Sequence, residues 1–228
     1  MLLIFSGVSL YRDSASRRDH VSYWLWAGLT AKDAPANSEL YVFQGRISTD
    51  GGKTFYERQG LCPHPLKSSK LFLVYRLEGQ LPDAKDVVDI FERSVAQWQR
   101  HPVSVSGIQL DFDSPTSKLI AYSHFVEEVR RQLAQNFALS ITGLGDWAIN
   151  GNQETMQSIS SSTDEIVFQL YQGRRPLREI EIYIRELSEY PMPFRIGLIS
   201  GAEIPTSVNT LKVNPNFQGI VYFIKKAI

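Results

Sequence analysis

From Lys70 onward the sequence alternates short apolar runs with stretches whose apolar residues recur at helical spacing. Residues 70–79, 105–113, 137–144, 165–172, 194–199 and 219–223 read as strands. Between the first two lies 82–101, with Val87, Val88, Ile90, Phe91, Val95 and Trp98 on one stripe. Pro82 and Asp83 suit its first turn. Residues 119–133 repeat the pattern through Leu119, Tyr122, Phe125, Val126, Val129 and Leu133. Residues 150–161 and 177–190 read as further helices, the last ended by Pro191-Met192-Pro193. Strands that alternate with helices run parallel and are joined by right-handed crossovers.

Two more strand-like runs precede this series, at 23–28 and 39–45. Eight parallel strands predict one α/β domain over 23–228, a (β/α)₈ TIM-type barrel near the lower limit of about 200 residues for that fold. The first two connections and the last are poor in helical pattern, so the outer ring is expected to be incomplete. An open doubly wound sheet is the alternative. The chain lacks G-x-G-x-x-G and Walker patterns, which weakens the nucleotide-binding versions of that sheet. Residues 48–69 read as one long irregular connection with a turn at Asp50-Gly51-Gly52. Residues 1–22 open on about ten apolar positions, too few to span a bilayer. They suit either a strand or the remnant of an export signal.

Within this frame the most unusual strand is Gly107-Ile108-Gln109-Leu110-Asp111-Phe112-Asp113. Ile108, Leu110 and Phe112 fall on one face, and Gln109, Asp111 and Asp113 on the other. Same-face neighbours stand roughly 6.6 Å apart along a strand. Asp is a poor strand former, and like charges this close raise one another's pKa. Such a stretch costs stability unless something uses it. A wet edge strand and a cation site made by the two Asp are the competing readings.

In a barrel of this kind the active site lies at the C-terminal strand ends. Arg76 and Glu78 end one strand, and Asp111 and Asp113 the next. Asp146 and Trp147 follow the strand after that. Gln169 and Tyr171 end the one beyond, and Trp24 and Trp26 lie on the first. Glycoside cleavage needs one protonated and one charged carboxyl group, and adjacent carboxylates split their pKa values. Tyr hydroxyls can orient a substrate, and Trp faces suit sugar rings. On this reading Asp113, Asp111 and Tyr171 are the candidate catalytic residues. Gln109, Trp24, Trp26, Arg76, Glu78, Asp146, Trp147 and Gln169 are candidates for substrate binding.

The charge balance narrows the partners. Lys plus Arg and Asp plus Glu number 24 each, so no global field favours nucleic acid or an anionic membrane. Cys62 is the single cysteine, which excludes an intrachain disulfide and a Cys-based zinc site. His20, His64, His101 and His124 show no ligand spacing. No metal, cofactor or integral membrane segment is expected. Compartment, whether periplasmic, secreted or cytoplasmic, and oligomeric state are left open.

Residues 107–113 resemble the fourth-strand signature of family-eighteen chitinase-type glycoside hydrolases, D-G-x-D-x-D-x-E. Gly107 matches its Gly and Asp111 its second strand Asp. Gln109 replaces the first, Ser106 replaces the leading Asp, and Asp113 stands where the catalytic Glu would be. Gln169-Leu170-Tyr171 is similar to that family's M-x-Y segment. The resemblance implies a substrate-assisted mechanism, with Asp113 as general acid and Asp111 orienting an acetamido group. Asp is one methylene shorter than Glu, about 1.5 Å less reach, and a 1 Å misplacement can cost about a hundredfold.

The chain also resembles, from about Trp24 to its end, the bacterial domain-of-unknown-function family 3142. The shared features are the Gln109–Asp113 run, Pro115-Thr116, Leu119 to Tyr122 and Ser140 to Leu144. That family implies no activity. Three readings therefore stand together: a carbohydrate-cleaving barrel, a non-catalytic barrel that binds a glycan or a protein, and a different, metal-assisted barrel enzyme.

Overall fold

The computed structural model describes residues 19–173 and 175–224. Most of the strand or export-signal stretch expected at 1–22 lies outside them. Eight parallel strands close into a barrel, in the order β1 (Val21–Leu25), β2 (Glu39–Asp50), β4 (Lys70–Glu78), β5 (Gly107–Asp111), β6 (Ala138–Leu144), β7 (Glu165–Gln169), β10 (Phe194–Ile199) and β11 (Phe217–Phe223). Closure is direct, because β1 pairs in parallel with both β2 and β11. The fold is a single TIM-type barrel, and the open-sheet alternative is discarded.

Helices α1 (Ala84–Trp98), α2 (Leu119–Gln132), α3 (Asp146–Asn150), α4 (Gln153–Ser162) and α5 (Ile180–Ser188) lie outside the barrel. Asp83 caps α1 by accepting from the Lys85 amide at 2.8 Å, and Asn152 caps α4 by accepting from the Thr155 amide. Only a 3-10 turn, Ala31–Asp33, joins β1 to β2, and a 3-10 helix, Thr206–Val213, joins β10 to β11. The outer ring is accordingly incomplete.

One segment departs from the sequence reading. The connection expected to be irregular over 48–69 begins with a hairpin, in which β2 runs to Asp50 and pairs antiparallel with β3 (Lys53–Arg58). Gly51 and Gly52 carry φ of 54° and 74°. Positive φ at both central residues is what a two-residue hairpin turn of matching twist requires. β3 is mostly exposed and sends only Tyr56 against the core, so it left no hydrophobic period to read. A second small ladder pairs β8 (Tyr171–Gln172) with β9 (Arg175–Pro176).

The two-residue period of the strands sorts side chains into two cores. Outward residues such as Leu73, Ile108, Leu110, Ile141 and Phe168 are fully buried beneath the helices. Inward residues Trp24, Tyr41, Phe72, Val74, Val167 and Val221 fill the barrel. Burying each large aliphatic side chain contributes about 1.5–3 kcal/mol. Beneath the interior apolar layer, at the N-terminal strand ends, sits a charged one. Arg195 Nη1 donates to Glu39 Oε1 at 2.7 Å and to the Tyr41 hydroxyl at 2.8 Å, while Nη2 donates to Ser22 Oγ at 2.6 Å. Tyr41 Oη also lies 2.6 Å from Glu165 Oε1.

Burial alone would push the Glu39 carboxyl up. The bonds from His20 and Tyr41 and the charges of Arg195 and Lys70 reverse this and hold it at about 2, against 4.5 for a free glutamate. A carboxyl depressed this far contributes on the order of 3 kcal/mol to stability above pH 4.5, lost as the pH falls toward 2. Glu39→Gln should therefore lower stability at pH 6, because Arg195 loses a buried partner, and should flatten the loss between pH 5 and 3. Urea denaturation at those pH values measures both effects.

Candidate functional site

At the C-terminal end of β5 the barrel interior turns polar again. Ile108 and Leu110 pack outward with no exposure, so Gln109 and Asp111 face inward, and both are buried. The β4–β5 register places Arg76 directly opposite Asp111. Arg76 Nη1 donates to Asp111 Oδ2 at 3.0 Å. Its Nη2 pairs with Asp113 Oδ2, just beyond the strand on the exposed rim. The other Asp111 oxygen accepts from Thr142 Oγ1 at 2.8 Å and from Gln169 Nε2 at 3.1 Å. Asp111 is thus held by three side chains, from the two adjacent strands β4 and β6 and from β7 one strand further round the barrel.

Burial pushes the Asp111 carboxyl up, and the Arg76 charge and the Thr142 bond offset only part of that. Burial works against the Arg76 charge as well, but two carboxylates outweigh it and the guanidinium stays cationic. The two directions are compatible. One guanidinium shared by two carboxylates is more than covered, while each carboxylate has only a share of a partner.

Above this cluster opens a cavity of about 250 Å³. Eight residues expected at the site line it: Trp24, Trp26, Arg76, Gln109, Asp111, Asp113, Gln169 and Tyr171. Trp24 is almost fully buried, and its Nε1 donates to Gln109 Oε1 at 2.5 Å, so it is a fixed wall. The half-buried Trp26 stacks on Phe43 at 4.2 Å, which takes up one of its faces. Tyr171 rests against Phe223 at 5.6 Å, and its hydroxyl has no hydrogen-bond partner among the described residues. Burial and the nearby Asp111 and Asp113 charges push that hydroxyl well above its usual range, so it remains a neutral donor.

Three expected residues lie elsewhere. Glu78 pairs with Arg46 at 3.3 Å and lines an adjoining chamber. Asp146 accepts from Thr116 Oγ1 and Asn150 Nδ2, within the outer turns. Trp147 is buried, and its Nε1 donates to the Ser114 carbonyl at 2.8 Å, anchoring the loop after β5. The chain passes from β6 straight into α3, and this carries Asp146 and Trp147 outside the barrel wall. Thr142, Gly173 and Phe223 line the cavity without having been singled out. Thr142 had a readable signal, since Ser140-Ile141-Thr142 alternates as Gln109-Leu110-Asp111 does. Among the described residues no three His, Cys, Asp or Glu side chains are grouped to hold a metal ion, and no helix is long and apolar enough to cross a membrane.

Residues 68–180 match the family described as a domain of unknown function, DUF3142. The match runs from just before β4 to the first residue of α5, a shorter span than the resemblance expected from Trp24 to the end. No curated protein sequence matches the chain. Among solved structures, a xylanase–α-amylase inhibitor protein, XAIP-I, in complex with trehalose is 18% identical, with a TM-score of 0.58 over 91% of this chain and 93% of that one. XAIP-III is 16% identical, with a TM-score of 0.59 over 91% and 93%. XAIP-II from Scadoxus multiflorus is 14% identical, with a TM-score of 0.56 over 90% and 92%. At these identities the likeness is one of fold.

Gly197 on β10 gives the Trp24 ring its place. A Cβ there would stand 2.7 Å from two ring atoms. Overpacking of this kind costs about 1–3 kcal/mol. Gly197→Ala should lower the urea midpoint accordingly and alter Trp fluorescence, whereas an unchanged midpoint would mean that the ring yields freely.

Proposed function

We propose that the chain is a carbohydrate-binding barrel whose ligand enters the cavity above Asp111. One observation carries this reading: the Arg76 guanidinium lies between two carboxylates, beside a free Tyr171 hydroxyl and against aromatic walls. A few convergent polar groups in an otherwise apolar concavity are what a small-molecule site consists of. Fixed carboxylate acceptors and an unpaired hydroxyl match the hydroxyl groups of a sugar, and Trp26 and Phe223 match its apolar faces. A barrel of the same fold holds trehalose.

The same geometry speaks against Asp113 as a ready general acid. Its Oδ2 is already paired with the Arg76 guanidinium, so that oxygen is not free to meet a leaving-group oxygen. Hydrolysis is the second reading, favoured by the position of Asp113 on the exposed rim at the cavity mouth. On that reading Asp113 would donate the proton and Asp111 would stay charged beside the sugar. Arg76 would first have to leave Asp113.

Calorimetry and product analysis on one glycan panel separate the two. Sugar binding without product is the expected result. Tyr171→Phe should weaken that binding by about 1 kcal/mol, roughly fivefold, with an unchanged melting temperature. Product formed by the wild type and lost in Asp113→Asn would establish hydrolysis instead. Absence of binding to every sugar would end both readings.

A further inference from the structure

The cavity above Asp111 does not end at Arg76 and Asp113. Both residues also line a second chamber of about 480 Å³, on the outer side of the same ion pair. The loop after β4 and the start of α2 form its sides. Leu81, Phe112, Pro115 and Ala121 give it an apolar floor, all partly or fully exposed. Lys118 stands at its margin without an ion pair among the described residues.

Size decides what the pair of chambers can take. Small-molecule sites usually enclose roughly 300–1,000 Å³. The inner cavity, at about 250 Å³, falls below that range on its own. Joined to the outer chamber it falls well within it. The inner cavity is polar-based and walled by aromatics, whereas the outer chamber offers an apolar floor with charged edges. Such a floor suits the C–H face of a second ring, and the edges suit its hydroxyl groups.

We propose that the site takes a ligand of at least two linked sugar units, one in each chamber, with the linkage crossing the Arg76–Asp113 pair. This rests on the carbohydrate reading above and adds the extent of the ligand to it. The outer unit contributes affinity through Leu81, Phe112 and Ala121, and Lys118 hydrogen-bonds its edge. The inner chamber alone would hold a single unit weakly.

The test uses glucose, xylose and N-acetylglucosamine, each as monomer and as β-1,4-linked tetramer, titrated into the full chain by calorimetry. In any series that binds, the tetramer should bind at least tenfold tighter than the monomer. That exceeds the fourfold that four equivalent registers could give. Ala121→Trp places a large ring in the outer chamber from an exposed helix position. It should cancel the length dependence and leave monomer affinity and melting temperature unchanged. Lys118→Ala, also exposed, should reduce tetramer affinity alone, by two- to fivefold. Equal affinity for monomer and tetramer in the wild type overturns the proposal while leaving the carbohydrate reading in place. An intact length dependence in a folded Ala121→Trp does the same. No binding in any of the three series overturns this proposal together with the reading it rests on.

Discussion

Arg76 carries one positive charge between two carboxylates, one of them almost fully enclosed. Removing a carboxylate from water without a partner is among the costliest things a fold can do. Asp111 tolerates it because Arg76, Thr142 and Gln169 reach it from β4, β6 and β7. Those side chains can do so only because the barrel is closed and its strands are in register. The cluster therefore reports on the whole C-terminal half of the barrel, and a shift of one strand by one residue would turn its members outward.

The interior is stratified. Charge at the N-terminal mouth, an apolar middle and charge again at the C-terminal mouth follow from the period of two along each strand. β2 gives Glu39, Tyr41 and Phe43, and β7 gives Glu165, Val167 and Gln169. The layers are linked by a thread of hydrogen bonds. Trp24 Nε1 donates to Gln109, Gln109 Nε2 to Ser140 Oγ at 2.9 Å, and Ser140 Oγ to Glu165 Oε1 at 2.7 Å. An indole can only donate, so the direction of every bond along the thread follows from Trp24. The Gln109 amide is thereby committed to neighbours, and its place in the cavity wall is that of a brace for Trp24.

Much of this was legible in the residues. Alternating runs from Lys70 onward announced the parallel barrel, and the acidic strand announced the mouth. The sparse first and last connections announced gaps in the helical ring. Other features were not legible, for physical reasons. In the β2–β3 hairpin, β3 is mostly exposed and packs only Tyr56 inward, so it carries no apolar period. Asp146 and Trp147 follow a strand end, as site residues do, but α3 begins at once and carries them outward. Arg195 stands alone among apolar neighbours in Phe194-Arg195-Ile196. Only the three-dimensional register brings it to Glu39, 156 positions away along the chain. Lone polar residues inside apolar strands are therefore as informative as the acidic pair, once closure is assumed.

The account depends on the Arg76–Asp111 interaction being strong within the folded barrel. A double-mutant cycle with Arg76→Met and Asp111→Asn, read by urea denaturation at pH 7, measures it directly. A favourable coupling on the order of 1–3 kcal/mol is predicted, with the double variant more stable than the two single losses would give together. Losses that simply add, within about 0.5 kcal/mol, would contradict the account, because the two groups would then not be holding one another at the mouth of the barrel.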